Sequence, residues 1–436
     1  MNLIYLTGLL GVFLIGLLAW RQAVVGSLVL AVFEGALRKW VFPEAHQWVY
    51  LGKDMLLLGA YAGFLVRRPA VRERPLPAHP ATAPLVALGL LTLAQLANPS
   101  LPSFQVGLFG IRSYLIYVPL LYVVSAVFPH PESLRKFWNR YLVLAVVPLT
   151  LGILQFGAPP GSVLNRYAWQ DETTPSSIAV LAGYGPRVTG TFSYISGYTV
   201  YLRVLFLVGL STLLWGPKTP LSRLLWIFLG GVLANIWMTG SRGVLILLAA
   251  SALILVLLIF RLQGQRGLRS VVLMCVGLPI ITLMTERVFP EAYQGFLERT
   301  WHTQDTPGRI AGIVTGPLWA LNEAGLFGYG VGSTHQALAF LAPDASPVPP
   351  AEGELERIVL ELGPLGLMLV LWARFLVTLR LWRAVWASRG TPLQPYVVIA
   401  FLYSLMSWPG PLMFNHTAHL FYWFMAGTAL ISVKKV

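Results

Sequence analysis

Residues 287–309 of the chain read RVFPEAYQGFLERTWHTQDTPGR and open a polar interval that continues to residue 356. Apolar runs flank this interval at about 270–286 and 356–378. Its charged and histidine residues include Glu291, Glu298, Arg299, His302, Asp305, Arg309, His335, Glu352 and Glu354. Lipid has no water to solvate such side chains, so the interval lies in water. We expect it to hold the chemistry of the protein, together with residues 239–243 (TGSRG).

The composition of the chain is that of a polytopic membrane protein. Of its 436 residues, 56% are hydrophobic and 11% are charged, whereas soluble domains carry roughly 25% charged residues. Basic residues outnumber acidic residues by 31 to 17, but they fall in short clusters between apolar runs. That pattern indicates membrane topology and not nucleic-acid binding. The single cysteine, Cys275, excludes a disulfide framework and a thiolate metal site.

Thirteen apolar runs are candidates to cross a hydrocarbon core, which takes roughly 20 helical residues. They lie at about 3–20, 23–42, 48–66, 82–98, 105–128, 138–158, 193–215, 224–239, 243–260, 270–286, 356–378, 395–409 and 417–433. Because a helix satisfies its own backbone hydrogen bonds in lipid, the sequence predicts an all-α bundle of about 12–14 transmembrane helices. Residues 1–436 are expected to form one polytopic domain.

The basic clusters predict the orientation of these spans, since lysine and arginine favour cytoplasmic loops. The clusters occur at residues 67–74, 135–140, 218–223, 261–269, 380–389 and 434–435. This assignment puts the C-terminus in the cytoplasm. The outer side then receives residues 99–104, 159–192, 240–242, 287–355 and 410–416. The odd number of runs would place the N-terminus outside.

The outer side carries arginines and none of the lysines. They are Arg112, Arg166, Arg187, Arg203, Arg242, Arg287, Arg299 and Arg309. A guanidinium presents a planar fork of donors that suits phosphate oxygens, which an ammonium does not. The set therefore favours a diphosphate ligand. The alternative is that these arginines lie at the membrane interface or pair with nearby acidic side chains.

Four motifs resemble, in order, those of the O-antigen polymerase and O-antigen ligase superfamily. They are residues 187–193 (RVTGTFS), residues 239–243, the Gly308-Arg309 pair leading to residues 328–332 (GYGVG), and the helix start at 352–366. Together they cover roughly residues 185–380. The first half of the chain, including residues 33–40 (FEGALRKW), is similar only in hydropathy.

The resemblance implies a GT-C-like membrane glycosyltransferase of the bacterial inner membrane, with its active face in the periplasm. Residues 159–192 would be the first long periplasmic loop, and residues 287–355 the main loop covering the site. The donor would be an undecaprenyl-diphosphate-linked oligosaccharide in the lipid bilayer. A chain-length regulator and a flippase are further partners that this function would involve.

Two departures from the family's pattern bear on the reaction. Residues 194–197 (YISG) replace a Pro-Asn pair found in many members, and Glu352 stands where ligases carry a functional histidine. The second departure favours a surface-polysaccharide polymerase. The alternative is an O-antigen ligase or O-oligosaccharyltransferase that moves the glycan to lipid A core or to protein. A transporter is less favoured, because no internal repeat is visible and the polar residues gather on one side.

Glycosyl transfer from a lipid diphosphate requires positive charge on the leaving group. The sequence has no Asp-x-Asp pair suited to Mg²⁺, so we expect a metal-independent reaction without a cofactor, in which arginines neutralise the diphosphate. Arg187, Arg242 and Arg309 are the candidates, with Arg299 as a fourth. For Arg242 there is an alternative: Ser241 at this junction simply caps the helix that follows.

The acceptor hydroxyl needs a base, and the candidates are the acidic residues at the end of the polar interval, just before the apolar run 356–378. Glu352 and Glu354 follow two prolines at a helix start, where the helix dipole stabilises acidic side chains. An ion-pair row of Glu354, Arg357 and Glu361 at helical spacing is the alternative. His302 and His335 are further candidates for acceptor binding or base chemistry, and they lie in the same interval.

Four charged residues lie inside the early apolar runs, where solvation is costly. They are Glu34, Arg38, Lys53 and Asp54. We expect them to form an ion-pair network in which Lys53 and Asp54 pair with Glu34 and Arg38.

Overall fold

The computed structural model describes residues 2–67, 78–168, 179–215, 221–302, 306–335, 338–344, 348–349, 351, 353–408 and 410–431. Within these ranges the chain is helical and contains no strand. The helices are α1 (Asn2–Leu18), α2 (Trp20–Ala36), α3 (His46–Arg67), α4 (Thr82–Ala94), α5 (Phe104–Leu115), α6 (Leu120–Val127), α7 (Pro131–Leu144), α8 (Val146–Gly157), α9 (Ile195–Trp215), α10 (Leu221–Thr239), α11 (Arg242–Gln263), α12 (Leu268–Val288), α13 (Pro290–His302), α14 (Thr306–Ala324), α15 (Leu338–Leu341), α16 (Glu354–Ala387), α17 (Gln394–Met406) and α18 (His416–Gly427).

The all-α prediction is confirmed, because the described residues of each predicted apolar run lie mainly on one helix or on two consecutive helices. Six helical segments in the described part of the chain are long and apolar enough to cross a membrane: Pro43–Arg67, Pro131–Gly157, α9, α11, α12 and α16. The α5–α6 pair, bent by 48°, makes a seventh if it counts as one span. The chain is therefore a membrane protein, and the predicted total of about 12–14 spans stays a prediction.

The polar interval from residue 287 to 355 contains helices of its own. It begins with α13, which packs against α10, and continues with α14, which packs against α16. Helix α15 lies near its end. The interval predicted as a covering loop thus contains two helices that pack against the bundle.

Three hydrogen bonds between connecting segments agree with the two sides that the basic residues predict. Gln95 Nε2 donates to the carbonyl of Phe327 at 2.8 Å, and Arg187 Nε donates to the carbonyl of Thr239 at 2.7 Å. These partners belong to, or directly border, segments assigned to the outer side. In the other set, Arg389 Nε donates to the carbonyl of Leu262 at 2.8 Å. We call the end that carries residues 187–193, 239–243 and 328–332 the motif end.

Helices α1 and α3 meet along a seam of glycines. A Cβ atom on Gly59 would overlap the carbonyl oxygen of Phe13, and Gly16 and Gly63 approach the opposite backbone as closely. Small residues one helical turn apart allow the backbones of two membrane helices to approach this closely. The other side of α1 is exposed, with Leu3 at 77%, so it faces lipid.

Helix α16 is broken at Gly363, where φ is +70° and ψ is −174°. A side chain there would be strained and would overlap the carbonyl oxygen of Leu326. Pro364 follows, in a position that needs no backbone donor because a new helical segment begins there. The break separates a short segment beginning at Glu354, which belongs to the motif end, from the longer apolar segment.

Candidate functional site

Arg187 and Arg299 both lie beside Gly240. Gly240 has a φ of +64°. This is the left-handed conformation that commonly ends a helix and that glycine adopts without strain. A Cβ atom built on Gly240 would lie 3.1 Å from Arg299 Cδ and 3.4 Å from Arg187 Nε. Helix α13 carries Arg299 to this point because it packs against α10. We call Arg187, Gly240 and Arg299 the Arg187 patch.

The two guanidinium groups of this patch repel each other. Burial and the charge of Arg299 lower the pKa of Arg187 to about 10. Arg187 remains protonated at neutral pH, and its Nε is directed to the carbonyl of Thr239. Two like charges near each other favour a bound anion. The patch is therefore a positively charged region formed by Arg187 of the first motif, Gly240 of the second motif and Arg299 of α13.

The other predicted arginines contribute differently. Arg242 begins α11 directly after Ser241, whose side chain makes no capping hydrogen bond, so the capping alternative is wrong. Arg309 lies in the first turn of α14, and its side chain is outside the described residues. Arg203 is buried and donates to the carbonyl of Met406 and to the hydroxyl of Ser407, which indicates a structural role.

Glu354 is tied into the protein at both carboxylate oxygens. One oxygen pairs with Arg374, and the other accepts hydrogen bonds from the backbone N–H groups of Leu412 and Met413. Glu354 and Arg374 are both buried. These contacts favour a structural role for Glu354 over that of a base. Glu352 lies outside the described residues, so its predicted role stays a prediction.

The alternative, an ion-pair row of Glu354, Arg357 and Glu361, is also wrong, because each of these side chains has another partner. Arg357 Nε donates to the carbonyl of Ala351 at 2.9 Å. Glu361 is fully buried and accepts from the hydroxyl of Thr334 at 2.6 Å and from its N–H at 3.2 Å. Glu361 thereby fixes the chain that follows the third motif.

The third motif, residues 328–332, packs against helix α5. Its glycines at 328, 330 and 332 all have positive φ, and Gly332 meets the backbone of Gly110 so closely that a Cβ atom on either residue would overlap the other. His335 follows, and its ring is tilted against that of Phe109, with 5.7 Å between the ring centroids. Burial, Arg112 and Arg357 lower the pKa of His335 to about 4. His335 is therefore neutral at neutral pH, and the low pKa makes it a weak base. The side chain of His302, the other histidine candidate, is outside the described residues.

A buried polar cluster at the same end was only partly predicted. It consists of Glu34, Arg38, Tyr50, Lys53, Asp54 and Arg112, which we call the Tyr50 cluster. The predicted pair of Lys53 with Glu34 is confirmed, with 2.7 Å between Nζ and Oε2. The predicted partner of Asp54 is wrong, because Asp54 pairs with Arg112 on α5. Arg112 Nη1 also lies 3.4 Å from Nε2 of His416.

The segment at residues 187–193 is held by the turn that follows α2. Arg38 Nη1 donates to Ser193 Oγ at 3.0 Å. Lys39 Nζ donates to Thr189 Oγ1 at 3.1 Å and to the carbonyl of Gly190 at 2.9 Å. Both cations lie in a π-helical turn, Leu37–Val41, a rare element that is frequent at functional sites. In the sequence, the only indication of this contact was the presence of two adjacent basic residues, Arg38 and Lys39, in an apolar run.

The chain matches no protein-family model, no curated protein and no solved structure. The family therefore stays a prediction. Among the residues that the structure describes, no group of three or more His, Cys, Asp or Glu side chains is arranged to hold a metal ion. What the chain's own geometry offers is a set of arginines at one end of an apolar helical bundle.

Proposed function

We propose that the protein is a membrane glycosyltransferase that uses a polyprenyl-diphosphate-linked donor. In its most specific form, it is a polymerase of bacterial surface polysaccharide that adds a glycan from undecaprenyl diphosphate to a lipid-linked repeat unit. The motif end would face the periplasm from the inner membrane. The observation that supports this proposal is the pairing of Arg187 with Arg299 around Gly240, at one end of the bundle.

The reaction requires little more than positioning and charge. The acceptor hydroxyl oxygen attacks the anomeric carbon, the bond from that carbon to the diphosphate oxygen breaks, and its electron pair leaves with the diphosphate. Positive groups fixed at that oxygen stabilise the developing charge. Arg187 and Arg299 supply two of them, and guanidinium groups bind phosphate oxygens through paired hydrogen bonds.

The proton of the acceptor hydroxyl must go to a base. Glu354 is already occupied by Arg374 and by backbone donors. Glu352 and His335 remain the candidates, and His335 is unprotonated at neutral pH. A base contributes typically 10²–10⁴-fold to the rate, so its loss would leave measurable transfer.

The proposal is tested with purified protein in nanodiscs and a synthetic undecaprenyl-diphosphate oligosaccharide, with and without EDTA. We expect a ladder of longer lipid-linked products that EDTA does not abolish. Arg187→Gln and Arg299→Gln should each reduce turnover about 100-fold, as removal of a charge-stabilising donor does. Arg166→Gln is the matched control, because Arg166 is an exposed arginine of the neighbouring segment.

Other results would change the proposal. Unchanged turnover in Arg187→Gln would remove the diphosphate role of the patch. Transfer to added lipid A core or protein, with no ladder, would make the protein a ligase or oligosaccharyltransferase. Movement of the lipid-linked glycan across the bilayer without any transfer would make it a transporter.

A further inference from the structure

The Tyr50 cluster contains more positive than negative charge. Arg38, Lys53 and Arg112 surround the ring of Tyr50, with their charged groups 5.0, 5.9 and 4.4 Å from its centroid. Among the described residues, their ion pairs are with two carboxylates, those of Glu34 and Asp54. A buried cation without a matching anion costs free energy.

The surplus is located at Arg38. Lys53 lies 2.7 Å from Glu34, and Arg112 is paired with Asp54. Arg38 is 3.8 Å from Glu34, and its close partner is the neutral hydroxyl of Ser193. Only 8% of Arg38 is exposed, and its Nε has no hydrogen-bond partner among the described residues. A buried donor left in this state requires an acceptor, and the described part of the chain supplies none.

Lys39, the next residue, is a second buried basic group on the same turn. It is 3% exposed, and its Nζ donates to the neutral oxygens of Thr189 and Gly190. Among the described residues, the three cations of the Tyr50 cluster face two carboxylates, which leaves a surplus of one positive charge. That surplus favours an anionic ligand such as a phosphate group.

The region opens at the motif end. Ser193 is half-buried, and the next residue, Tyr194, is 39% exposed. Tyr194 interacts electrostatically with both Arg38 and Tyr50, so the exposed surface lies next to the cluster. From Arg187 to Ser193 the chain spans six residue steps, at most about 20 Å when fully extended. The Tyr50 cluster and the Arg187 patch therefore lie within about 20 Å of each other along this segment, and different side chains form them.

We propose that the Tyr50 cluster is a second anion-binding site, which takes a phosphate or diphosphate group through Arg38 Nε. The guanidinium of Arg38 donates to the phosphate oxygens, and the surplus positive charge of the cluster favours their binding. The phosphate belongs either to a lipid headgroup or to a free phosphate compound. The inference stands on the charge and contacts of the cluster and does not require glycosyl transfer.

The experiment uses the Arg187→Gln protein in nanodiscs, so that the Arg187 patch is disabled. Inorganic diphosphate and farnesyl diphosphate are titrated in separate calorimetric experiments. We expect one equivalent of anion to bind. Ser193→Asp in this background places a carboxylate beside Arg38 and should weaken binding by about tenfold or more, as expected for loss of a hydrogen bond to a charged group. Ser193→Asn, with the same shape and no charge, is the matched control.

The outcomes are distinct. Binding of both probes that Ser193→Asp abolishes supports a site for the phosphate group itself, and binding of farnesyl diphosphate alone supports a lipid source. Absence of binding in Arg187→Gln, or equal binding in Ser193→Asp and Ser193→Asn, overturns the second site. The melting temperature gives an independent readout, because a carboxylate that neutralises surplus charge should stabilise Ser193→Asp. A lower melting temperature than that of Ser193→Asn would also count against the proposal.

Discussion

Arg38 Nη1 donates a hydrogen bond to Ser193 Oγ at 3.0 Å and joins two segments 155 positions apart in the sequence. With Lys39, which donates to Thr189, it fixes the segment that begins at Arg187 to the turn after α2. The geometry of the Arg187 patch thus depends on a part of the chain that carries none of the four motifs. This dependence can be tested without changing a charged residue.

Gly35→Ala should separate α2 from the segment at residues 187–193. A Cβ atom there would overlap the backbone of Phe192 and Ser193 and lie 2.5 Å from the carbonyl oxygen of Thr191. Backbone atoms yield little, so we expect a loss of about 1–3 kcal/mol in the free energy of unfolding. Thermal unfolding in nanodiscs measures the loss.

The control for this substitution is Gly52→Ala on α3, where nothing lies within 4 Å of the added methyl group. It should leave stability unchanged or raise it slightly, since alanine is the better helix former. Equal melting temperatures for Gly35→Ala and Gly52→Ala would contradict the close contact. Turnover should fall in Gly35→Ala and not in Gly52→Ala if the contact positions Arg187.

Glu354→Gln should unfold more easily, because it leaves Arg374 charged and buried without its partner. Breaking a buried pair on one side typically costs about 3–5 kcal/mol. The double variant Glu354→Gln with Arg374→Met should recover part of that loss, which a thermodynamic cycle measures. Glu356→Gln is the control, since Glu356 contacts the backbone N–H of Gly353 at the helix start. A stable Glu354→Gln protein with an altered pH–rate profile would instead favour a base role.

Anion binding at the Arg187 patch should weaken in alkali. The pKa of Arg187 is lowered to about 10 by burial and by Arg299. The group is therefore charged at neutral pH and loses its proton as the pH rises through that value. The dissociation constant for inorganic diphosphate should be flat near neutrality and rise towards pH 10, as titration calorimetry would show. Arg187→Gln should lack this inflection, and a wild-type curve without it would refute the assignment.

Stability should decline between pH 6.5 and 4. The pKa values of His79 and His335 are lowered from 6.5 to about 4, in each case mainly by burial. In that window the unfolded chain binds protons that the folded protein does not, so acid favours unfolding. His79→Gln and His335→Gln should each flatten the dependence of melting temperature on pH. His130→Gln, at an exposed position, should leave the slope unchanged.

The positions of the helices were predictable because lipid imposes a single requirement on the chain. Long apolar runs must satisfy their own backbone groups, so each run became a helix. The polar interval gave less information, since α13 and α14 carry enough charge to be mistaken for loop. Their positions depend on packing against α10 and α16, which one-dimensional hydropathy does not contain.

The site was predictable to the extent that residue type alone decides it. Arg187 and Arg299 were candidates because guanidinium suits phosphate, but their proximity depends on where α13 packs. Likewise, the charges of Asp54 and Lys53 required partners inside the bundle. Asp54 pairs with Arg112 because α5 approaches α3 at this point, and the spacing of these residues in the sequence does not predict that contact.

The glycine seam between α1 and α3 has a consequence for biosynthesis. Helix α1 leaves the ribosome before α3 exists, yet the seam with Gly59 and Gly63 is its closest backbone contact. During that interval α1 must reside in the bilayer without its α3 partner. Its sequence suits this state, because Asn2–Leu18 carries no acidic or basic residue and a helix that is apolar on every side is soluble in lipid. Gly59 and Gly63 on the later helix then add close contact without a bulky side chain that the helix already inserted would have to accommodate.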